Sequence, residues 1–258
     1  MHAASGENID RKSFISASNI VIDNIDRKLS LSTSILSLTT SAGFATVSPV
    51  ARVARPYHHG DLRNAFLAEA AKLIETEGVG ALTLRELSRR LGVSHAAPTN
   101  HFSDKDALLA DLAAQGFEEL AQDLAAVAPG RSPEVRLREL GRAYVRFALR
   151  RRGHYRVMFG RGFSKEARTR LADAGERAFS ILQEVVTAAM PPTRARSIQR
   201  VREACFLACS VVHGAAMLLL DGPLVPHLSA SATEEEDTFS DLIDHATASV
   251  SAAIREGR

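Results

Sequence analysis

The sequence predicts an all-α fold in which a small three-helix head precedes a larger helical body. Three observations predict it. Residues 83–102, TLRELSRRLGVSHAAPTNHF, read as two short helices about a glycine turn. From Leu62 to Ile254 apolar residues recur at spacings of three and four between glycine and proline breaks, the period of helices with one buried face. No stretch alternates apolar and polar residues over a strand's length.

Residues 1–54 are rich in Ser, Thr, Ile and Asn and include the repetitive SLSTSILSLTTS at 30–41. They are expected to be a disordered extension, with the working chain beginning near Val50. Glu7, Asp10, Asp23 and Asp26 are unlike a signal or transit peptide. The head occupies residues 55–103. Its first helix sets Leu62, Phe66, Leu73 and Ile74 on one side and closes at Gly78. Thr83 and Glu86 have capping-box spacing, so the second helix starts at Leu84, with Leu84, Leu87 and Leu91 on one face and Arg85, Arg89 and Arg90 on the others. Gly92 supplies a positive φ, Val93 an apolar anchor, and Ser94 the cap of a third helix through Asn100. Ser88 is small where the two helices cross.

The body occupies residues 104–258. Ser103 and Asp106 form a second capping box, opening a helix that runs from Asp104 to about Val127 and stops at Ala-Pro-Gly, 128–130. Another starts with Pro133 in its first turn and reaches about Arg151, with Leu137, Leu140, Tyr144, Phe147 and Ala148 on its apolar face. Gly153 interrupts, and HYRVMFG at 154–160 makes a short turn of helix. Ser164 caps a helix through Met190, which Pro191-Pro192 ends. Arg194 to Leu220 is the most apolar helix, terminated by Asp221-Gly222-Pro223. The acidic run 234–237 suits the positive end of a last helix reaching about Ile254.

A helix, a glycine turn and a second capped helix form the helix-turn-helix, which lays its second helix in the major groove of DNA. At the start of that helix Ser94, His95, Ala96, Thr99 and Asn100 face the bases. The Asn100 amide can pair two-fold with adenine, and Thr99 can donate to a base or pack on a thymine methyl. Phosphate contacts are expected from Thr83, Arg85, His101 and Lys105, and from an arm around Arg55, Tyr57 and His58. Lys105 in a helix's first turn opposes the macrodipole, which a bound phosphate would explain.

Residues 57–109 resemble the amino-terminal domain of TetR-family transcriptional regulators, in the order LTLRELSRRLGVS, HAAP, HF, then DK followed by Leu108. The resemblance implies a homodimeric DNA-binding regulator, released from a palindromic operator when a small apolar molecule binds the carboxy-terminal domain. The expected alternative is a helical ligand-binding or interaction protein with weak or lost DNA binding. Where the family commonly has an aromatic residue this chain has Thr99, and Pro98 replaces an apolar residue of the turn's inner face. In the body, ACSVVHGAAMLLLDG at 208–222 and YRVMFG at 155–160 resemble a subgroup with a His-Gly pair, in which a Trp commonly stands where this chain has Cys209. The resemblance implies an effector cavity lined by some of Phe117, Phe147, Tyr155, Met158, Phe159, Phe206, Cys209, His213 and Met217. It also implies dimerisation through Ser197–Leu220 and Phe239–Ile254 as a four-helix interface.

Composition narrows the rest. The formal net charge of 258 residues is only +2, so DNA contact must come from a local cluster, supplied by Arg52, Arg55, Arg63, Arg85, Arg89, Arg90 and Lys105. Two cysteines suit a reducing cytoplasm rather than a disulfide framework. No apolar run reaches the ~20 residues of a membrane span, so a soluble cytoplasmic protein is expected. Cys205, Cys209 and His213 lie on one helical stripe, but its ends are about 12 Å apart and cannot share an ion. No metal or other cofactor is expected. Nor is an enzyme: there is no nucleophile elbow, phosphate-cradling glycine loop or orienting acid for a Cys209–His213 pair.

Overall fold

The computed structural model describes residues 62–129, 132–160, 163–221 and 232–256. The expected amino-terminal extension and the arm residues Arg55, Tyr57 and His58 lie outside them. So do Gly130 and the Gly222-Pro223 terminator. Every regular element among the described residues is helical.

Helix α1, Leu62–Glu77, buries Phe66, Leu67, Ala70, Leu73 and Ile74. Glycine ends it: Gly78 has φ 82°, a region open to residues without a Cβ. After a 3₁₀ turn at Val79–Ala81 comes α2, Leu84–Leu91. Thr83 caps α2 through its side-chain oxygen, and Gly92 terminates it at φ 67°. Ser88 is fully buried and donates to the Leu84 carbonyl at 2.9 Å, as expected of a small residue at a close crossing. Phe66 meets Phe102 edge-on with centroids 6.2 Å apart. Each of these buried rings contributes roughly 1.5–3 kcal/mol by leaving water.

The third helix of the head departs from expectation. Only Ala97–Asn100 is helical, as a 3₁₀ turn, and Ser94 gives no side-chain cap. Its carbonyl instead accepts from the Ala97 amide at 3.0 Å, closing a turn. Pro98 is the cause. A helix capped at Ser94 would put the proline ring against the Ser94 carbonyl and push Ala97 out of the α region.

Helix α3, Lys105–Ala125, also starts differently: its cap is Asp104, whose Oδ1 accepts from the Ala107 amide at 2.7 Å. Ser103 only donates to that carboxylate, at 3.2 Å. Helix α4, Pro133–Arg150, is capped by Ser132. Gly153 does not interrupt a helix but lies inside α5, Arg152–Met158; the break falls at Arg151, with φ −117° and ψ 44°. Helix α6, Lys165–Ala189, is capped by Ser164. Pro192 opens a one-turn helix, α7, Pro192–Ala195, so α8 begins at Ile198 rather than Arg194 and runs to Asp221. Helix α9 is Ala232–Glu256.

Residues Arg63–Arg258 form one compact unit. Helix α3 runs from the head along α6 and α5, while α4 packs among α6, α8 and α9. The body core includes Phe147, Tyr155, Val185, Val186 and Cys205. Helix α8 passes the length and composition test for a membrane span over Ile198–Leu220, with mean hydropathy 1.8, so the sequence expectation missed it. Its Val201, Cys205, Ala208, Ala216 and Leu220 are buried, while Phe206, Leu207, Met217 and Leu218 are exposed.

Head and body meet at Gly153. A Cβ there would lie 2.0 Å from the Ala71 carbonyl oxygen of α1, and backbone yields little. Gly153→Val is expected to cost about 1–3 kcal/mol, read as a lower urea midpoint with an unchanged m-value.

Candidate functional site

Ser94, His95, Ala96, Thr99 and Asn100 are all exposed, while Pro98 between them is buried and fixes the segment to the head. The Pro98 carbonyl accepts from the His101 and Phe102 amides, both at 2.9 Å. A short, immobilised turn therefore presents polar tips on its open side. The Thr99 hydroxyl donates to the Ala96 carbonyl at 2.7 Å. With that bond made, the hydroxyl turns a lone pair outward and the side chain a methyl. His101 is half-buried and tilted against the Phe66 ring at 6.3 Å.

Most cations around this segment are engaged. Arg90 reaches Glu77 at 2.6 Å, Glu86 at 2.7 Å and Glu69 at 3.7 Å, clamping α2 to α1. Arg89 pairs with Glu86 at 2.6 Å. These two guanidiniums hold the Glu86 carboxyl down at about 2. Glu86 makes these pairs alongside the Thr83 cap, whose Oγ1 accepts from the Glu86 amide at 3.1 Å. Arg63 binds Asp111 at 2.7 Å. Lys105 donates to the Val79 carbonyl at 3.1 Å, which gives its first-turn position a reason without a phosphate. Arg85 is exposed and makes no ion pair among the described residues.

The second candidate site lies in the body. The Tyr155 hydroxyl is 2.8 Å from His213 Nδ1, the Tyr144 hydroxyl is 3.0 Å from the same nitrogen, and the two hydroxyls are 3.2 Å apart. The Phe159 ring packs on His213 at 4.5 Å, and Phe117 on Phe159 at 5.5 Å. The proton count favours one arrangement. With the proton on Nε2, Tyr155 donates to Nδ1 and Tyr144 donates to Tyr155, whereas a proton on Nδ1 would leave one hydroxyl without an acceptor. Burial raises both phenols and lowers His213, so the triad is uncharged. Cys209 stands one turn before His213, and burial pushes its thiol and that of Cys205 up to about 12, which makes them poor nucleophiles.

Of the expected lining, Phe117, Tyr155, Phe159, Cys209 and His213 come together. Phe147 is a fully buried core ring, and Met158 lies under α3, where a Cβ on Gly116 would meet its sulfur at 2.7 Å. Phe206 and Met217 do not belong to a cavity: they are 40% and 44% exposed on the outer face of α8. Helical spacing reported only that they are apolar, not which side of α8 they take. Tyr144 was missed as a polar participant because its position fits an apolar stripe; a buried phenol's need for a partner was the available signal.

His154 and His213 are both kept neutral by burial, with pKa values below the ordinary 6.5. As pH falls below 6.5 the unfolded chain takes up protons that the folded chain resists, so stability falls with pH through that window. The urea midpoint is expected to be lower at about pH 5.5 than at about pH 7.5, and His154→Gln with His213→Gln should narrow the difference.

The model of tetR-family bacterial regulatory proteins matches residues 66–112, and that of a tetracyclin repressor-like C-terminal domain matches residues 137–246. The uncharacterized HTH-type transcriptional regulator YobS of Bacillus subtilis (strain 168) is 31% identical over 86 residues, 33% of this chain and 45% of that protein. The match thus spans less than half of that relative's length. A protein with unknown function from Rhodococcus sp. RHA1 superposes with a TM-score of 0.62 at 30% identity, covering 78% of this chain and 99% of that one. AibR, in complex with isovaleryl coenzyme A and operator DNA, superposes with a TM-score of 0.56 over 72% of this chain and 98% of its own, at 16% identity. That likeness is one of fold.

Proposed function

The chain belongs to the TetR family, and from that premise we propose that it is a cytoplasmic DNA-binding transcriptional regulator, a homodimeric repressor released from a palindromic operator by a small apolar effector. The observation that carries the reading is the exposed 94–100 segment, anchored by buried Pro98 and flanked by α2. In this reading residues 55–103 are the DNA-binding domain, and His95 and Asn100 read bases. Arg85 takes a phosphate, as do Thr83, His101 and Lys105 less strongly. Two subunits set their segments in successive major grooves about 34 Å apart.

Residues 104–258 hold the effector against the His213 triad. Helix α5 supplies a path to the head. It carries Tyr155 in the triad and, next to it, Arg156, which donates to the Ile74 and Glu75 carbonyls at the end of α1 at 3.2 and 2.9 Å. An effector that repacks Tyr155 moves α1, and DNA must weaken the effector by the factor by which the effector weakens DNA.

Arg85→Ala is expected to weaken duplex binding across sequences and to lower the slope of log affinity against log salt by about one. Fluorescence anisotropy at several salt concentrations measures it, and an unchanged slope removes Arg85 from the interface. One observation favours a second reading, a helical interaction protein without DNA binding: the nearby guanidiniums Arg63, Arg89 and Arg90 are already paired. Loss of all salt-sensitive duplex affinity in the unaltered protein would select it.

A further inference from the structure

We propose that the cleft between α1, α3 and α6 is a second small-molecule site, which takes a small organic anion that also carries hydroxyl or ammonium donors. The cleft has a volume of about 560 Å³, within the roughly 300–1,000 Å³ of ligand sites. It lies apart from the uncharged His213 triad, and its walls are charged. Arg63 of α1 and Arg170 of α6 converge on one carboxylate, Asp111 of α3, at 2.7 and 3.1 Å. Along α6, Arg177 reaches Glu118 of α3 at 3.1 Å.

Asp111 is nearly buried, its side chain 13% exposed, whereas the Arg63 and Arg170 side chains are 45% and 60% exposed. Two guanidiniums thus share one carboxylate through one nitrogen each, Nη2 of Arg63 and Nη1 of Arg170, while about half of each side chain stays accessible, so donors remain for a ligand. That geometry suits a carboxylate or phosphate, which guanidinium forks bind in pairs of hydrogen bonds. Opposing charges narrow the class. Asp173 lies on the same stripe of α6, between Arg170 and Arg177, and is exposed. With Glu118 it repels a bare compact anion but accepts from hydroxyl or ammonium groups on a larger one. The side chains of Leu67, Ala114 and Ala174 also line the cleft; they leave room and apolar surface for a carbon skeleton.

The site also touches the head. The Arg63 guanidinium lies 5.5 Å from the centre of the Phe102 ring, two residues after the exposed segment. A ligand that draws Arg63 away from Asp111 changes the position of the head, so occupancy alters duplex affinity.

Calorimetric titration of the full chain at fixed ionic strength tests the binding without reference to DNA. The probes are D-glucose 6-phosphate, L-glutamate, inorganic phosphate and D-glucose. Saturable binding of the sugar phosphate or the amino acid is expected, with phosphate weaker and glucose silent. Arg170→Gln should weaken that binding on the order of tenfold, the loss of a charge-assisted contact. Ala114→Phe, which fills the floor without altering charge, should remove it, with melting curves confirming that both variants fold. No saturable binding of either organic anion, or undiminished binding by both variants, overturns the proposal.

Discussion

Leu218→Glu is expected to abolish the proposed dimer and to weaken binding to the proposed palindromic duplex by on the order of a hundredfold or more, because two linked heads become one. Helix α8 turns Phe206, Leu207, Met217 and Leu218 outward, and α9 adds Leu242, each between 37% and 50% exposed. The same helices bury an opposite stripe that includes Cys205, Ala208, Ile243 and Val250. A helix apolar on both sides is one that has a neighbour on both sides, and large apolar side chains gathered on an exposed face are the kind of surface that pairs. Leu218 is the most exposed of the set, so glutamate there disturbs the monomer little. In a two-fold contact it brings a carboxylate from each subunit into an apolar seam. Sedimentation equilibrium and anisotropy on the same samples read both effects. A variant that stays dimeric places the contact elsewhere.

Tyr155→Ala is expected to destabilise the fold by roughly 3–5 kcal/mol, the range for removing a large buried ring. Tyr155 is 1% exposed, meets Tyr144 and Phe159 edge-on, and its hydroxyl bridges Tyr144 and His213. Alanine leaves a cavity where three aromatic neighbours lose contact. Tyr155→Phe separates packing from hydrogen bonding. It keeps the ring, and the Tyr144 hydroxyl can turn to His213 Nδ1, so its cost is expected near 1 kcal/mol. Urea titration of both variants decides it. Equal costs for the two substitutions would mean that the hydroxyl network, not the ring, holds α5 in place.

The helical periodicity made the body legible from its sequence, and side-chain caps at Thr83, Ser132 and Ser164 put three helix starts where expected. What was hidden were local contests between neighbouring residues. Asp104 outcompeted Ser103 for the cap of α3 because its carboxylate is the stronger acceptor for an amide at a helix's positive end. Pro98 shortened the reading helix, whereas the sequence marked it only as a replacement on the turn's inner face. Gly153, read as a breaker, is instead a contact point where only a residue without a Cβ lets α5 reach the backbone of α1.

The candidate sites divide along the same line. The exposed tips Ser94, His95, Thr99 and Asn100 follow from the motif's spacing. The pairing of Arg89 and Arg90 with Glu86 is also local, at three and four residues' separation, and was available to a charge-pattern reading. By contrast, the Tyr144–Tyr155–His213 triad and the Arg63–Asp111–Arg170 group each join three helices. Such tertiary meetings leave no period in the sequence. Helical spacing can say that Phe206 and Met217 are apolar, but only packing against α4 and α9 decides which residues of α8 face inward.

Hydroxyl-radical footprinting of the protein on the DNA upstream of its own gene tests paired reading heads most directly. Two protected patches, on one face of the duplex and one helical turn apart, are expected, and Leu218→Glu should erase both together. A dimeric protein that leaves that DNA evenly cleaved at low salt would contradict the account.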